Sequence, residues 1–123
     1  MSPRLTSSLA PKPRRRTAPR DELQTLPGVG PSIAGDLRHL GIRSIGELAR
    51  RNAERLYDRL CEVTGKRQDP CVLYVFRCAV YASRTPLPDP ALLRWESWNG
   101  RMLDARGRVV NTAKGLPARY ARS

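Results

Sequence analysis

The feature that most constrains the fold of this chain is a run of twelve residues that is apolar on almost every side. The run, CVLYVFRCAVYA at residues 71–82, contains one charged side chain, Arg77. Asp69 and Pro70 precede it and are typical of a helix start, because aspartate caps a helix and proline tolerates its first position. A helix without a polar face buries all of its sides, so this run predicts a central buried helix.

Shorter segments ahead of this run carry their own helix start and stop signals. Pro31 opens a segment in which apolar residues recur at helical spacing, and Gly41 ends it. Ser44 begins a capping-box pattern, with a glutamate three residues later. Asn52 can cap a third segment, which Gly65 ends. These signals predict three short helices before the central one.

A last amphipathic piece follows three closely spaced prolines. This piece, ALLRWESW at residues 91–98, is predicted to pack back onto the core. Strand-like alternation is absent apart from a weak pattern at residues 108–110. The sequence therefore predicts an all-α fold, a compact bundle of five to six short helices over residues 21–98.

The net charge of +12 lies almost entirely outside that bundle. Residues 1–20 carry six basic side chains and no acid, and residues 99–123 carry six against one acid. Residues 21–98 carry eleven Lys or Arg and ten Asp or Glu, so they are nearly neutral. The four prolines and few apolar residues of residues 1–20 predict a disordered basic arm, and residues 99–123 are predicted to form a basic, largely irregular tail.

The three cysteines indicate the cellular compartment and suggest one rival function. Cys61, Cys71 and Cys78 are odd in number and favour reduced thiols over a secreted disulfide framework, so we expect a cytoplasmic protein. Cys71 lies in the first turn of a predicted helix, where the helix dipole favours a reactive thiolate. That position makes a redox role a rival hypothesis, whereas the wide cysteine spacing disfavours zinc. We favour the interpretation that these cysteines are small core residues.

Two glycines, separated by one residue, precede the predicted helix that Pro31 opens. Gly28 and Gly30 let the backbone turn tightly and leave its N–H groups uncovered by side chains. These groups lie just before a helix N-terminus, where unpaired amides and the helix dipole favour an anion. The turn suits a phosphate, although a Pro-Gly turn followed by a helix is also an ordinary connection between packed helices.

The order of residues in this stretch resembles a helix-hairpin-helix motif. That motif consists of an apolar residue, a glycine, a second apolar residue, a second glycine and, further along, an alanine. The matching residues here are Leu26, Gly28, Val29, Gly30 and Ala34. In DNA repair and recombination proteins with such motifs, the hairpin amides contact backbone phosphates without reading sequence. The resemblance implies that Val29 plugs between two helices and that Ala34 lets them approach closely.

The same resemblance implies which groups contact a ligand. Phosphates would accept hydrogen bonds from the backbone N–H groups of Gly28, Gly30, Ser32 and Ile33. Some members hold a monovalent cation on hairpin carbonyls, so the cofactor that the resemblance suggests is K⁺ or Na⁺ on the carbonyls of Gln24, Leu26 and Val29. Where members often carry basic residues, this sequence has Gly35 and Asp36.

Basic side chains elsewhere are the other candidate DNA contacts. Arg14, Arg15 and Arg16 in the arm are expected to supply non-specific attraction to phosphates. Lys66 and Arg67 lie in the connection TGKRQDP, which could be a degenerate second hairpin whose cations contact a phosphate as point charges. We favour an ordinary loop there, because the connection lacks the two glycines.

Two further patterns favour structural roles. Trp95 and Trp98 could stack on a base, but a pair three residues apart more often covers a small core. Three acids and three arginines interleave on the third predicted helix and indicate a solvated, ion-paired face: Glu54, Asp58, Glu62, Arg51, Arg55 and Arg59.

A longer resemblance covers residues 22–98. The segments LPGVGPSIAGDLRHLGIRSIGEL, RQDPCVLYVFRCAVY and LLRWESW are similar to small bacterial proteins of the pathogenicity-locus or mitomycin-resistance type. The chain also resembles, more loosely, the C-terminal domain of TfoX-type competence regulators. These resemblances imply the fold and imply no catalysis.

The function predicted from these observations is non-enzymatic, sequence-nonspecific DNA binding through backbone phosphates, linked to DNA repair or recombination. The alternative is a protein-protein interaction module in which the hairpin is only a structural turn and the partner is an unidentified protein. The nearly neutral bundle and Asp36 favour that alternative. No stretch approaches the roughly 18 apolar residues of a membrane span, so we expect no membrane partner.

Overall fold

The computed structural model describes residues 22–114. Within that range four α-helices form: α1 (Pro31–His39), α2 (Ile45–Leu48), α3 (Ala53–Thr64) and α4 (Pro70–Arg84). Three short 3-10 helices span Glu22–Thr25, Pro90–Leu93 and Trp95–Gly100, and two strands follow, β1 (Arg101–Leu103) and β2 (Val109–Asn111). The mostly helical architecture confirms the all-α class. The predicted arm, including Arg14, Arg15 and Arg16, lies outside the described residues.

Helix α4 is the centre of the molecule, as its sequence predicts. Nine consecutive residues, 73–81, are buried, and Leu73 and Phe76 are fully inaccessible. The helix packs against α2, α3 and both of the 3-10 helices that follow it. Within residues 22–114, no helix combines the length and the apolar character that crossing a membrane requires.

The predicted helix starts are confirmed by side-chain caps. An oxygen of each cap accepts a first-turn N–H, at 3.1, 3.0 and 2.8 Å: Ser44 from Glu47, Asn52 from Arg55 and Asp69 from Cys71. Gly41 and Gly65 adopt the positive φ that stops a helix, at 90° and 73°. These contacts join residues two to three positions apart, so they form without help from distant parts of the chain.

Arg77 is a charged residue inside this core, with 2% of its surface exposed. Its Nε donates to Glu54 Oε2 at 2.6 Å, and its Nη1 donates to the backbone oxygen of Trp98 at 2.9 Å. The sequence pattern predicts Glu54 on a solvated, ion-paired face of α3, and this is wrong. The buried guanidinium needs a counter-charge, and Glu54 supplies it.

Trp98 covers the core, as the favoured interpretation of the tryptophan pair predicts. Its side chain is fully buried, its Nε1 donates to the Leu92 oxygen at 2.9 Å, and its ring centroid lies 5.4 Å from that of Tyr81. Trp95 is half-buried and packs against the same core. The two indoles therefore contribute mainly to packing.

The C-terminal strands differ from the largely irregular tail predicted for residues 99–123. β1 and β2 pair antiparallel, with Met102 opposite Val110, and Leu103 joins the core at 8% exposure. Asp104 Oδ1 closes the turn by accepting the N–H groups of Arg106 and Arg108, each at 2.9 Å. The weak pattern at residues 108–110 overlaps β2, but strands of three residues are too short for a pattern to predict their pairing, so the hairpin became apparent only in the fold.

Candidate functional site

The turn at residues 26–30, called the glycine turn below, connects the first 3-10 helix to α1. Leu26 and Val29 are buried at 8% and 5% exposure, and the Val29 N–H donates to the Leu26 oxygen at 3.2 Å. Gly28 has a φ of 78° and is exposed. The apolar residues of the turn therefore anchor it in the core while glycine backbone remains at the surface.

Helix α1 begins without a side-chain cap, unlike α2, α3 and α4. Its N-cap residue is Gly30, and no side chain accepts the N–H groups of its first turn. The N–H groups of Gly28, Gly30, Ser32 and Ile33 donate to no protein acceptor within the described range, and Pro31 has none to donate. Four backbone donors at or just before the positive end of the α1 dipole thus lack a protein acceptor, an arrangement that suits an anion.

The two glycines of the turn are required for different reasons. A Cβ on Gly28 would lie 3.3 Å from Trp95 Cδ1 and 3.5 Å from Val75 Cγ1, in a backbone conformation that side chains disfavour. Gly30 has a φ of −94° and a ψ of −170°, which any residue adopts. A Cβ there would have no heavy atom within 4 Å. The fold requires glycine at position 28, whereas position 30 keeps space open in front of the amides.

The side chains near the glycine turn do not strengthen its attraction for an anion. Asp36 lies on α1 four residues after Ser32 and is half-buried. Burial raises the pKa of the Asp36 carboxyl above its ordinary value, and the charge of His39 opposes part of that shift. Ile33 packs its side chain against the core, so only its backbone can meet a ligand. The phosphate-binding character of the site comes from the backbone.

The carbonyls suggested for a monovalent cation belong to the same segment. Gln24 lies in the 3-10 helix Glu22–Thr25, and the Leu26 oxygen accepts the Val29 N–H. A carbonyl oxygen has two lone pairs, so this hydrogen bond leaves one available on Leu26. Binding of K⁺ or Na⁺ at these carbonyls stays a prediction.

Lys66 and Arg67 lie in a different loop from the glycine turn, the connection between α3 and α4. Both are exposed, and the Lys66 N–H donates to the Cys61 oxygen at 3.2 Å as α3 ends. The Tyr57 hydroxyl donates to the Gln68 oxygen, and burial raises the pKa of that hydroxyl. These contacts describe an ordered helix connection, as the favoured interpretation of this loop predicts.

The cysteines do not have the activated character that the position of Cys71 predicts. Cys71 is exposed, but desolvation and the neighbouring Asp69 carboxylate raise the pKa of its thiol. The prediction of a lowered thiol pKa is wrong, because desolvation and then the Asp69 carboxylate that caps α4 raise the thiol pKa. Burial raises the pKa of Cys78 to about 11. Among residues 22–114, no three His, Cys, Asp or Glu side chains are placed to hold a metal ion.

A second surface feature is a groove of about 400 Å³, called the arginine groove below. Seven residues line it: Leu40, Arg50, Arg51, Asn52, Arg55, Leu56 and Arg59. Sequence reasoning missed it by treating the arginines of α3 as ion-paired. The signal that could have found it is the Arg50-Arg51 pair followed by an arginine at each four-residue step.

Comparison with known proteins places the chain in a family. Residues 16–102 match the Cdd1 family, described as pathogenicity locus. Over 59 residues the chain is 39% identical to the mitomycin resistance protein McrB of Streptomyces lavendulae. The aligned residues make up 48% of this chain and 56% of that protein. The chain thus spans little more than half the length of this curated relative. No solved structure matches it. Because the family match covers most of its length, the chain belongs to the pathogenicity-locus family.

Proposed function

We propose that this protein is a non-enzymatic, sequence-nonspecific DNA-binding protein whose glycine turn and α1 act as a helix-hairpin-helix. The observation that carries the proposal is the set of four neighbouring N–H groups, on Gly28, Gly30, Ser32 and Ile33, that have no acceptor in the described structure. At the starts of α2, α3 and α4, the N-cap side chain accepts one first-turn N–H, whereas no side chain caps α1. An uncapped helix start at the surface is suited to an external anion.

A DNA backbone phosphate fits this arrangement better than a base does. Backbone N–H groups at a helix start position a phosphate, and they carry no information about base sequence. The buried Leu26 and Val29 hold the turn rigidly, so little conformational entropy is lost when a phosphate binds. The basic residues outside 21–98 add non-specific, salt-dependent attraction.

The biological setting follows from the same resemblance. Helix-hairpin-helix motifs are common in DNA repair and recombination proteins, and we propose a role of that kind here. The Streptomyces relative is named for mitomycin resistance, which makes growth in the presence of mitomycin a direct phenotype to measure. The three free thiols support a reducing, cytoplasmic location.

The deciding experiment is a binding titration of the full chain against labelled duplex DNA of two unrelated sequences. Gly30→Leu should weaken binding to both sequences by at least about tenfold, because losing one or two hydrogen bonds to a charged group costs about 1.5–3 kcal/mol each. Its side chain begins in open space, so the fold should be retained. Unchanged circular dichroism would verify this.

The matched control is Gly46→Leu. Gly46 lies in α2, and a Cβ there would contact only Ser44 Oγ, at 3.9 Å. This variant makes the same chemical change away from the glycine turn and should bind as the wild type does. Equal affinity of Gly30→Leu, Gly46→Leu and wild type would contradict the proposed contact.

One observation favours a second candidate function, a protein-protein interaction module. Asp36 places a carboxylate on the helix that bears the open amides, and it would repel a phosphate that approached the same face. If the full chain retains one protein stoichiometrically after nuclease treatment and fails to bind DNA at low salt, this second function replaces the first.

A further inference from the structure

The arginine groove lies at the opposite end of α1 from the glycine turn. Leu40 directly follows α1 and lines the groove, whereas the glycine turn directly precedes that helix. Nine residues of α-helix separate the two features, a distance of about 14 Å at 1.5 Å per residue. The groove is therefore a separate site, formed where α1, the α2–α3 junction and the start of α3 meet.

Three of the four arginines that line the groove have no acidic partner within the described range. The exposed side chains of Arg50, Arg51 and Arg55 form no ion pair or hydrogen bond with any residue of the described range. Glu54, which interleaves with them in sequence, binds the buried Arg77 instead. Because Glu54 binds Arg77, it does not neutralise the arginines of this surface, and the net charge of the surface is more positive.

The groove extends beyond these three side chains. A smaller cleft of about 150 Å³ adjoins it, shares Arg50, Arg51 and Asn52, and is also lined by Arg84. Arg59 also lines the groove. Its exposed side chain forms an ion pair with Glu62, with Arg59 Nη1 3.6 Å from Glu62 Oε1. Basic side chains therefore continue from the groove into this cleft, where the two lining acids, Glu54 and Asp104, are ion-paired with Arg77 and Arg108.

The chemistry of this surface matches a chain of phosphates. Guanidinium groups bind phosphate oxygens through two parallel hydrogen bonds, and like charges gathered without counter-ions are stabilised when an anion binds. A volume of about 400 Å³ holds more than one phosphate. Arg51, Arg55 and Arg59 recur every four residues, about 6 Å along the helix axis. Neighbouring arginines of this row can therefore contact different phosphates of one strand.

We propose that the arginine groove is a second binding site for the nucleic-acid backbone, taking consecutive phosphates of one strand. The class of ligand rests on the proposed function, whereas the site does not include the glycine turn. Its residues contact phosphates as charged side chains, while the glycine turn contacts them through amides. The two sites together enlarge the length of nucleic acid that one molecule covers.

The test compares two triple variants of the full chain that remove the same charge. The groove variant is Arg50→Gln, Arg51→Gln and Arg55→Gln. The control variant is Arg43→Gln, Arg94→Gln and Arg106→Gln, three exposed arginines that do not line the groove. Fluorescence anisotropy with a labelled single-stranded oligonucleotide is measured between about 50 and 200 mM salt, a range in which phosphate contacts change affinity strongly.

The groove variant should bind more than about tenfold more weakly at low salt, and the slope of log affinity against log salt should fall by about 2, since each single-strand contact contributes about 0.7. The control variant should change both quantities much less. Equal losses in the two triple variants would show a diffuse charge effect and would overturn the proposal, as would failure of the full chain to bind the oligonucleotide.

Gly30→Leu in the same titration separates this proposal from the proposed function. If Gly30→Leu binds normally and the groove variant is impaired, the arginine groove is a site and the glycine turn is not. If only Gly30→Leu is impaired, the glycine turn stands and the groove proposal is wrong. Thermal melting of each variant verifies that the exposed substitutions leave the fold intact.

Discussion

Arg77 and Glu54 form a buried ion pair across the α3–α4 interface, with Arg77 Nε 2.6 Å from Glu54 Oε2. The two side chains are 2% and 13% exposed. Arg77 also donates a hydrogen bond to the backbone oxygen of Trp98, which connects the 3-10 helix Trp95–Gly100 to the same pair. This pair orients three elements of the core and also determines which arginines on α3 remain without an acidic partner.

Removing Glu54 should destabilise the protein strongly. Glu54→Ala leaves the Arg77 guanidinium buried without its counter-charge, and we expect the free energy of unfolding to fall by about 3 kcal/mol or more. Urea denaturation followed by circular dichroism measures the change. Glu62→Ala removes the acid of an exposed pair 3.6 Å from Arg59 and should cost less than about 1 kcal/mol. A loss at Glu54 no larger than that control would contradict a structural role for the pair.

Alanine at the two glycines of the turn should affect stability unequally. Gly28→Ala places a Cβ 3.3 Å from Trp95 at a φ of 78° and should reduce the free energy of unfolding by about 1–2 kcal/mol. Gly30→Ala should cost less than about 1 kcal/mol, because its backbone is extended and its surroundings are open. Thermal melts compare the two, and equal costs would show that neither the positive φ nor the contact with Trp95 constrains position 28.

The Asp69 carboxylate should control the reactivity of Cys71. Asp69→Asn keeps a good N-cap for α4 but removes the negative charge beside the thiol. Since that charge helps to raise the thiol pKa, the labelling rate of Cys71 should increase at neutral pH and its pH profile should shift to lower pH. Site-specific labelling followed by mass spectrometry measures the profile, with the buried Cys78 as a slow internal reference. An unchanged profile would show that the Asp69 charge does not contribute to the raised thiol pKa and that desolvation alone accounts for it.

Replacement of Asp36 should strengthen DNA binding. Burial raises the pKa of this carboxyl, so the folded state favours the protonated form and loses stability as pH rises from the unfolded pKa through the folded one. Asp36→Asn should therefore stabilise the protein at neutral pH and leave its stability at low pH nearly unchanged. Removing a charge near the α1 amides should increase affinity about 2- to 5-fold, corresponding to about 0.4–1 kcal/mol.

Glu96→Gln is the matched control for this substitution, because it neutralises an exposed acid on a different element. A similar gain in affinity from both variants would indicate a net-charge effect. A gain confined to Asp36→Asn, together with the pH dependence of its stability, supports phosphate binding at the start of α1.

Much of the fold was predictable from the sequence, because its helix boundaries depend on contacts between near neighbours. Asn52 and Asp69 cap helices through N–H groups two or three residues away, and Gly65 ends α3 by adopting a positive φ. The burial of α4 was equally predictable, since a helix with apolar side chains on every face has no side to expose.

The candidate site was predictable in part. The order of residues 26–34 indicates a tight turn before a helix, and the structure leaves the expected four amides without protein acceptors. Which glycine the fold requires was not predictable. Trp95 approaches Gly28 from 67 positions further along the chain, and a sequence pattern contains no information about contacts of that kind.

By itself, the sequence determined where the helices start and stop, which helix is central, and that the turn at Gly28 and Gly30 presents backbone amides. Only the tertiary structure decided that Glu54 turns inward to Arg77 and that Leu103 completes the core from a short hairpin. The physical reason is the separation along the chain of the residues that interact. Capping hydrogen bonds are local, whereas the partner of a buried charge depends on how distant helices pack, and that packing leaves Arg50, Arg51 and Arg55 together in one groove.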